Sequence, residues 1–461
     1  MNKLFSHVFC AILLSGFVSA APASNGSSSI PSASSLSGVK SSSATSLGSG
    51  TLSSSAADAT PTVPYASDDP NPRLWNITET NLTAVVPERG SIGSNILGPQ
   101  NVPIDVQNAD LLAPPTTDAG DVPNAKWPFS LSHMRLQTGG WARQQNINQM
   151  PIATAMAGVD MRLEAGAIRE LHWHSTAEWA YVLKGTTQIT AVDQDGRNYL
   201  ANVGPGDLWY FPPGIPHSLQ ATNETEEGSE FLLIFPNGSF TDDGTFLLTD
   251  WLAHIPKDVI AKNFRVNISA FDHIPGEQLY IFPGVPPPPN AQAPSDPQGT
   301  VPSPYSFAFS QLNATQYSGG TAKIADTSNF PISEAISVAE VTVEPGAMRE
   351  LHWHPTQDEW GFYLEGQARV TLFAAEGTAV TYDYQAGDIS YVPSPYGHYV
   401  ENTGNTTLRF LEIFNSPTFE DVSLTQWLAL TPPALVKAHL QLSDSVIASL
   451  NKTKPVVVGP N

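Results

Sequence analysis

The stretch "GAIRELHWH" (166–174) returns as "GAMRELHWH" (346–354), 180 residues further on, with eight of nine letters unchanged. Three more pieces return in the same order. "PGDLWYFPPGIPHS" (205–218) matches "AGDISYVPSPYGHY" (386–399), "FLLIF" (231–235) matches "FLEIF" (410–414), and "LTDWLA" (248–253) matches "LTQWLA" (424–429). Four ordered matches at near-constant spacing are the mark of a duplication. The chain must therefore fold as two related domains, not as one large core or a many-repeat solenoid. A length of 461 residues with 41% hydrophobic residues supplies enough material for two such cores.

The first copy spans 127–283 and the second 305–461, ending in helices. The Pro-rich segment 284–304 reads as an extended linker. Runs such as "EWAYVLKGTTQITAV" (178–192) and "WGFYLEGQARVTLFA" (360–374) are β-branched and aromatic, with Gly turns between them. Many short strands predict an all-β barrel or sandwich in each copy. Only the copy ends look helical. Pro256, and Pro432 with Pro433, split each of these stretches into two short helices.

Ahead of the repeat, 1–20 has the form of a secretory signal: Lys3, then the apolar run "VFCAILLSGFVSA" with a small-residue cleavage site. Residues 21–60 are Ser-rich and too poor in large apolar residues to bury a core. An arm rich in Pro, Asn and Asp, 61–126, follows. The only cysteine is Cys10, so the processed chain has no disulfide, thiolate ligand or Cys nucleophile. Sequons at Asn25, Asn76, Asn81, Asn223, Asn237, Asn267, Asn313, Asn405 and Asn451 fit a secreted glycoprotein. A net charge of −22 argues against nucleic acid and anionic membranes as partners.

Residues i and i+2 of a strand share a face, so His172 projects with His174 and His352 with His354. Glu178 and Glu359 follow closely, and a later strand adds His217 and His398. Each copy thus offers three imidazoles and one carboxylate. That set suits Mn, Fe, Ni, Cu or Zn and leaves positions open for substrate. Six of the 11 histidines fall into these two matched sets. His7, His133, His254, His273 and His439 have no such company and read as structural or exposed.

Gly166, His172, His174, Glu178 and Gly185, with Gly346, His352, His354, Glu359 and Gly366, fall at the spacing of the first cupin motif. Gly206, Pro212, Gly214 and His217 resemble the second motif. The later copy follows that motif loosely through Gly387, Pro393, His398 and Asn402, with "VPSPYGH" in place of Pro-x-Gly. "RELHWH" in both halves, "EWAY", "DLWYFP", "GHYVEN" and "FLEIF" extend the resemblance to the bicupin oxalate decarboxylases, over about 127–457.

The resemblance implies two tandem cupin barrels, each of jelly-roll type, with two Mn2+ per chain. It also implies conversion of oxalate to formate and carbon dioxide, with dioxygen as redox partner. Arg169 and Arg349 are then the substrate-binding residues, because a guanidinium grips a carboxylate in bidentate fashion. Strict alternation from His172 would put Glu170 on the His face instead, so Arg169 needs an irregular strand start after Gly166. The family's proton donor lies on a lid, as Glu in Ser-Glu-Asn-Ser. Here the aligned lid is "TDDG" (241–244), which places Asp242 there, one methylene shorter, with Asp243 as the alternative. Glu412 aligns with Leu233 and matches the family's acid beside the second metal.

Phe240 to Trp251 spans eleven steps, and Phe419 to Trp427 only eight, so the two sites are not equivalent and turnover is expected at the first. Trp209 is expected to be a pocket wall. The rival readings are an oxalate oxidase giving hydrogen peroxide, a cupin dioxygenase of larger aromatic substrates, and a non-catalytic metal-binding bicupin. The family further implies a homo-oligomer, trimer or hexamer. The signal implies an extracellular location, free or wall-associated.

Overall fold

The structure is a computed structural model that describes residues 101–112 and 114–460. The signal, the Ser-rich tract, residues 61–100 of the arm and the first three sequons lie outside the described residues.

Each copy packs two antiparallel sheets face to face. The first pairs Ala157–Leu163, Glu178–Lys184, Leu208–Phe211 and Ser229–Phe235 in one sheet. Its second sheet holds Ile168–Trp173, Thr187–Val192, Asn198–Val203 and His217–Ala221. The later copy repeats the plan. Ser337–Val343, Glu359–Glu365, Asp388–Val392 and Leu408–Phe414 face Met348–Trp353, Gln367–Phe373, Ala379–Gln385 and His398–Asn402. The expected all-β pair of barrels is what forms.

The strand Glu178–Lys184 shows why its sequence does not alternate cleanly. Ala180 and Val182 enter the first barrel's core with Met161, Leu219 and Phe231. Trp179 and Tyr181 leave by the other face. They join a core between the barrels that includes Trp360, Phe362, Ile389 and Leu411. A strand buried on both faces has no polar side to display. Burying each such side chain is worth roughly 1.5–3 kcal/mol, so this shared core holds the barrels together without a disulfide between them. Two polar bonds fix its register. Trp360 Nε1–H donates to Gln145 Oε1 (2.7 Å), and Tyr181 donates to Glu340 Oε2 (2.9 Å).

The segments heading the two copies are exchanged. Lys126–Pro128 pairs with Asp388–Val392 of the later barrel, and Ser306–Phe307 pairs with Leu208–Phe211 of the earlier one. The boundaries at 127 and 305 therefore mark strands that complete the opposite barrel. The arm and the linker are counterparts as well. Asp118 accepts from Thr381 N–H (3.0 Å) on the later barrel, and Asp296 accepts from Asn198 N–H (2.6 Å) on the earlier one.

The copy ends form the helices Leu248–Ala253 and Lys257–Phe264, and Leu424–Leu430 and Pro433–Leu440. Pro256 and Pro432 sit at the N-caps of the second of each pair. A further helix in the later copy, Asp444–Ser449, was not expected.

Candidate metal centres

Gly166 and Gly346 turn the chain into the strands that carry the His pairs, at φ of 83° and 76°. That region favours residues without a side chain. In each barrel the first histidine of the pair lies directly across the ladder from the late one: His172 opposite His217, and His352 opposite His398. The second histidine follows just past the strand end, and the glutamate opens the neighbouring sheet's strand. One ligand atom from each of His172, His174, Glu178 and His217 lies within 4.8 Å of the others, and the same holds for His352, His354, Glu359 and His398. All eight side chains are buried. Of the five histidines set aside in the sequence, His133, His254, His273 and His439 are exposed, and His7 lies outside the described residues.

Backbone carbonyls set the tautomers. Nδ1 of His172, His174 and His217 contacts the carbonyls of Glu170 (2.5 Å), Thr176 (2.7 Å) and Ile215 (2.7 Å). Nδ1 of His352, His354 and His398 contacts those of Glu350 (2.6 Å), Glu420 (2.7 Å) and Tyr396 (3.0 Å). A proton on Nδ1 leaves Nε2 as the lone-pair donor, which is how second partners orient metal ligands. Burial, reinforced by the Arg169 charge, holds His172 well below the usual imidazole range, and burial with Arg349 does the same to His352. Burial pushes the Glu178 carboxyl up, but His217 and His174 overcome it and hold the group well below its ordinary value. Nε2 of His217 and of His352 is buried without a hydrogen bond. Three imidazoles, a carboxylate and buried orphan nitrogens gathered at one point fit a divalent cation, so each barrel carries a metal-binding site.

Trp209 is more than a wall. Its indole N–H donates to Glu178 Oε1 (2.9 Å) and so aims that carboxylate. Ser390 holds the matching register position in the later barrel.

The irregular strand start appears as a β-bulge. His172 faces His217, yet Arg169 faces Leu219, so three steps on one strand oppose two on the other. The bulge turns Arg169 to the histidine side. Glu170 points the opposite way. It accepts from the backbone of Thr249 (2.7 Å), Leu279 (2.9 Å) and Tyr280 (2.8 Å), clamping the helical end to the barrel. The same shift places Arg349 in the later copy.

The two arginines meet different neighbours. Arg169 Nη2 donates to Asp242 Oδ1 (3.0 Å), the Tyr280 hydroxyl donates to Asp242 Oδ2, and the Tyr280 ring lies 4.3 Å from the guanidinium. Asp243 turns outward, with its side chain 74% exposed, to pair with Arg135 (2.9 Å). Of the two lid carboxylates, then, Asp242 is the one brought to the site. Arg349 is gripped twice, donating to Glu412 Oε1 (3.1 Å) and to Asp421 Oδ2 (2.6 Å). Burial raises the Glu412 pKa above the usual carboxylate range, although Arg349 pulls the other way. Sequence reasoning missed Asp421 and Tyr280. The first was within reach, because Phe240-Thr241-Asp242 aligns with Phe419-Glu420-Asp421.

Comparison with known proteins agrees with this geometry. The model of the cupin family matches residues 133–270 and 306–448. Oxalate decarboxylase OxdC of Bacillus subtilis is 50% identical over 373 residues, covering 81% of this chain and 96% of that one. A probable oxalate decarboxylase of Arthroderma benhamiae is 41% identical over 79% of this chain and 91% of its own. The structure of the Bacillus subtilis enzyme at pH 4.6 superposes with a TM-score of 0.79 at 48% identity, covering 83% of this chain and 100% of that one. A further structure of that enzyme, concerned with its Mn(II) centres, gives 0.77 at 49% identity over 81% of this chain and 99% of that one. The fold and its paired three-histidine, one-glutamate sites define a cupin with two metal-binding barrels. Within the cupins, the chain belongs to the bicupin oxalate decarboxylase family.

Proposed function

We propose that the chain converts oxalate to formate and carbon dioxide at the first barrel. The observation that carries this reading is the Arg169–Asp242 pair beside the His172, His174, Glu178 and His217 cluster. Manganese held by those four residues supplies a positive, redox-active centre, with dioxygen as its redox partner. The eight ligands support that metal at both sites, as do the Mn(II) centres of the Bacillus subtilis relative.

Oxalate is a small dianion and needs a cationic grip beyond the metal. Arg169 is fully buried, and its Nη1 makes no hydrogen bond, so it keeps a charged donor for a carboxylate in a place without water to compete. Loss of carbon dioxide leaves a formate-level carbon that must gain a proton, and Asp242 is the acid within reach of it. The Asp242 side chain is 12% exposed at the cavity rim, where it can recover a proton from solvent. The Tyr280 hydroxyl and the Gln144 side chain, which accepts from Asp242 N–H (3.0 Å), hold the shorter residue over Arg169. This delivery of an acid disfavours the oxidase alternative. In the second barrel Glu412 lies beside Arg349, at the position that Leu233 holds in the first.

The chain is further read as a secreted glycoprotein and a homo-oligomer, trimer or hexamer. The sequons at Asn223, Asn237, Asn267, Asn313, Asn405 and Asn451 are all exposed. Trp251, Phe264, Trp427 and Leu430 present apolar surface on the helical ends, which supports association with further copies. The test is a product assay. Manganese-loaded protein is incubated with oxalate in air at about pH 4–5, where the substrate is partly protonated, and formate and peroxide are quantified together. Formate near one per oxalate is expected. Neither product, with metal bound, would overturn the assignment.

A further inference from the structure

The two barrels differ most in what covers the arginine. Asp242 and Asp421 are counterparts, each two residues past a phenylalanine and each accepting from Nη2 of its arginine, at 3.0 Å and 2.6 Å. Their surroundings are opposite in kind. The Asp242 segment is a short 3-10 turn, Asp242–Gly244, with no buried residue. Its fastenings are the contacts to Gln144 and Tyr280 and the exposed Arg135–Asp243 pair, and exposed pairs hold weakly. None of these fastenings involves a metal ligand. His174 takes its Nδ1 partner from Thr176, outside the segment.

The later barrel's segment is fastened along its whole length. Gln357 donates to the Thr418 carbonyl (2.8 Å). The Glu420 carbonyl is the Nδ1 partner of the metal ligand His354 (2.7 Å). Lys454 donates to both the carbonyl and the carboxylate of Asp421. The short strand that follows, Val422–Ser423 against Trp353 and His352, is common to both barrels, since Phe246–Leu247 pairs with Trp173 and His172 in the same way; Ser423 donates to Glu350 (2.5 Å). The Asp421 side chain is 1% exposed. Moving this segment would strip His354 of the partner that sets its tautomer. It would also take from the buried Arg349 one of its two carboxylate partners, which is expensive.

The local charge points the same way. Arg169 faces one half-buried carboxylate, Asp242, whereas Arg349 faces two buried ones, Glu412 and Asp421. A dianion approaching the second arginine meets one more carboxylate than at the first.

We infer that segment 417–423 is a fixed plug in which Asp421, pinned by Lys454, takes Nη2 of Arg349 as a built-in carboxylate while Glu412 takes Nε, leaving Nη1 as the one open donor, so that the second barrel holds its metal without admitting oxalate. Asp421 is thus an exclusion residue. Its segment has the place of the first barrel's lid but is tied to the metal cage it covers. The inference rests on oxalate being the ligand of the first barrel.

The test is binding stoichiometry by calorimetry under anaerobic conditions, with oxalate as titrant and full-length protein carrying two manganese per chain by metal analysis. The natural chain is expected to bind one oxalate per chain. Asp421→Ala is expected to bind two, the second more weakly. Asp421→Asn keeps the shape and removes the charge, and serves if the alanine variant does not fold; it too is expected to gain binding. Lys454→Met, which unpins Asp421, is expected to give a partial second event. Two oxalates on the natural chain would overturn the plug and leave the oxalate assignment standing. One oxalate on every folded variant would also overturn it, because Asp421 would not be what excludes. No binding to the natural chain would overturn the oxalate assignment and the plug with it.

Discussion

Trp209→Phe should loosen one metal and spare the other. The Trp209 indole N–H donates to Glu178 Oε1 at 2.9 Å, fully buried, and phenylalanine has no donor to replace it. A hydrogen bond to a charged group is worth about 1.5–3 kcal/mol. Losing an orienting partner of a metal ligand typically costs about 10–100-fold in metal affinity, which is the same range expressed as an equilibrium constant. The later barrel is the internal control, because Ser390 stands at the matching position. The variant is loaded with manganese and dialysed against a graded series of chelator, and metal per chain is counted. One of the two ions should leave at roughly 10–100-fold lower chelator than in the natural chain, with the other unmoved. Trp209 also packs on Phe231, with ring centroids 5.0 Å apart, so the melting temperature is followed to separate lost packing from lost orientation. If both ions shift together, or neither does, the indole–carboxylate bond is not what holds the first site in order.

Two more perturbations follow from the contacts around the first barrel. Arg135→Met removes the ion pair to Asp243 and the guanidinium lying 3.5 Å from the Tyr280 ring. At about 1 kcal/mol for such half-exposed contacts, kcat/KM for oxalate should fall roughly fivefold and exchange of the 241–245 amides should quicken; unchanged exchange would count against Arg135 as a latch. Asp160 is raised to about 7 by burial and by Glu230, although Arg143 donates to it at 2.9 Å and pulls the other way. A raised folded-state pKa favours folding fully below the unfolded value of about 3.9, and that contribution is lost as pH rises through about 7. Asp160→Asn should therefore flatten the urea midpoint between pH 4 and 7, and a parallel pH dependence in the variant would refute the assignment.

The ligands were legible because metal chemistry constrains residue type and spacing together, and the duplication wrote the pattern twice. His172, His174, Glu178 and His217 and their four counterparts come together as the spacing implies. What sequence could not supply was the side of the strand on which an arginine falls. The bulge between Arg169 and His172 reverses the alternation, and it depends on pairing with His217–Ala221. The exchange of Lys126–Pro128 and Ser306–Phe307 was hidden for a similar reason, since strand partners are set by the shared core and not by order along the chain. Tyr280 lies 111 residues past Arg169 at a positive φ of 58°, with no periodic signal to tie it to the lid. Asp421 was readable in the alignment of Phe419 with Phe240, but its burial and its hold on Arg349 were not.

If Asp242 supplies the proton that turns oxalate into formate, the product ratio must follow its carboxyl group. The direct measurement is the ratio of formate to peroxide from manganese-loaded natural chain, Asp242→Asn and Asp242→Glu, each checked for two metals per chain. Formate should dominate in the natural chain and in Asp242→Glu. In Asp242→Asn, formate should fall by about 10²–10⁴-fold, the usual contribution of a positioned acid, and peroxide should become the larger share. Formate at a near-natural rate from Asp242→Asn would contradict the account and place the acid elsewhere.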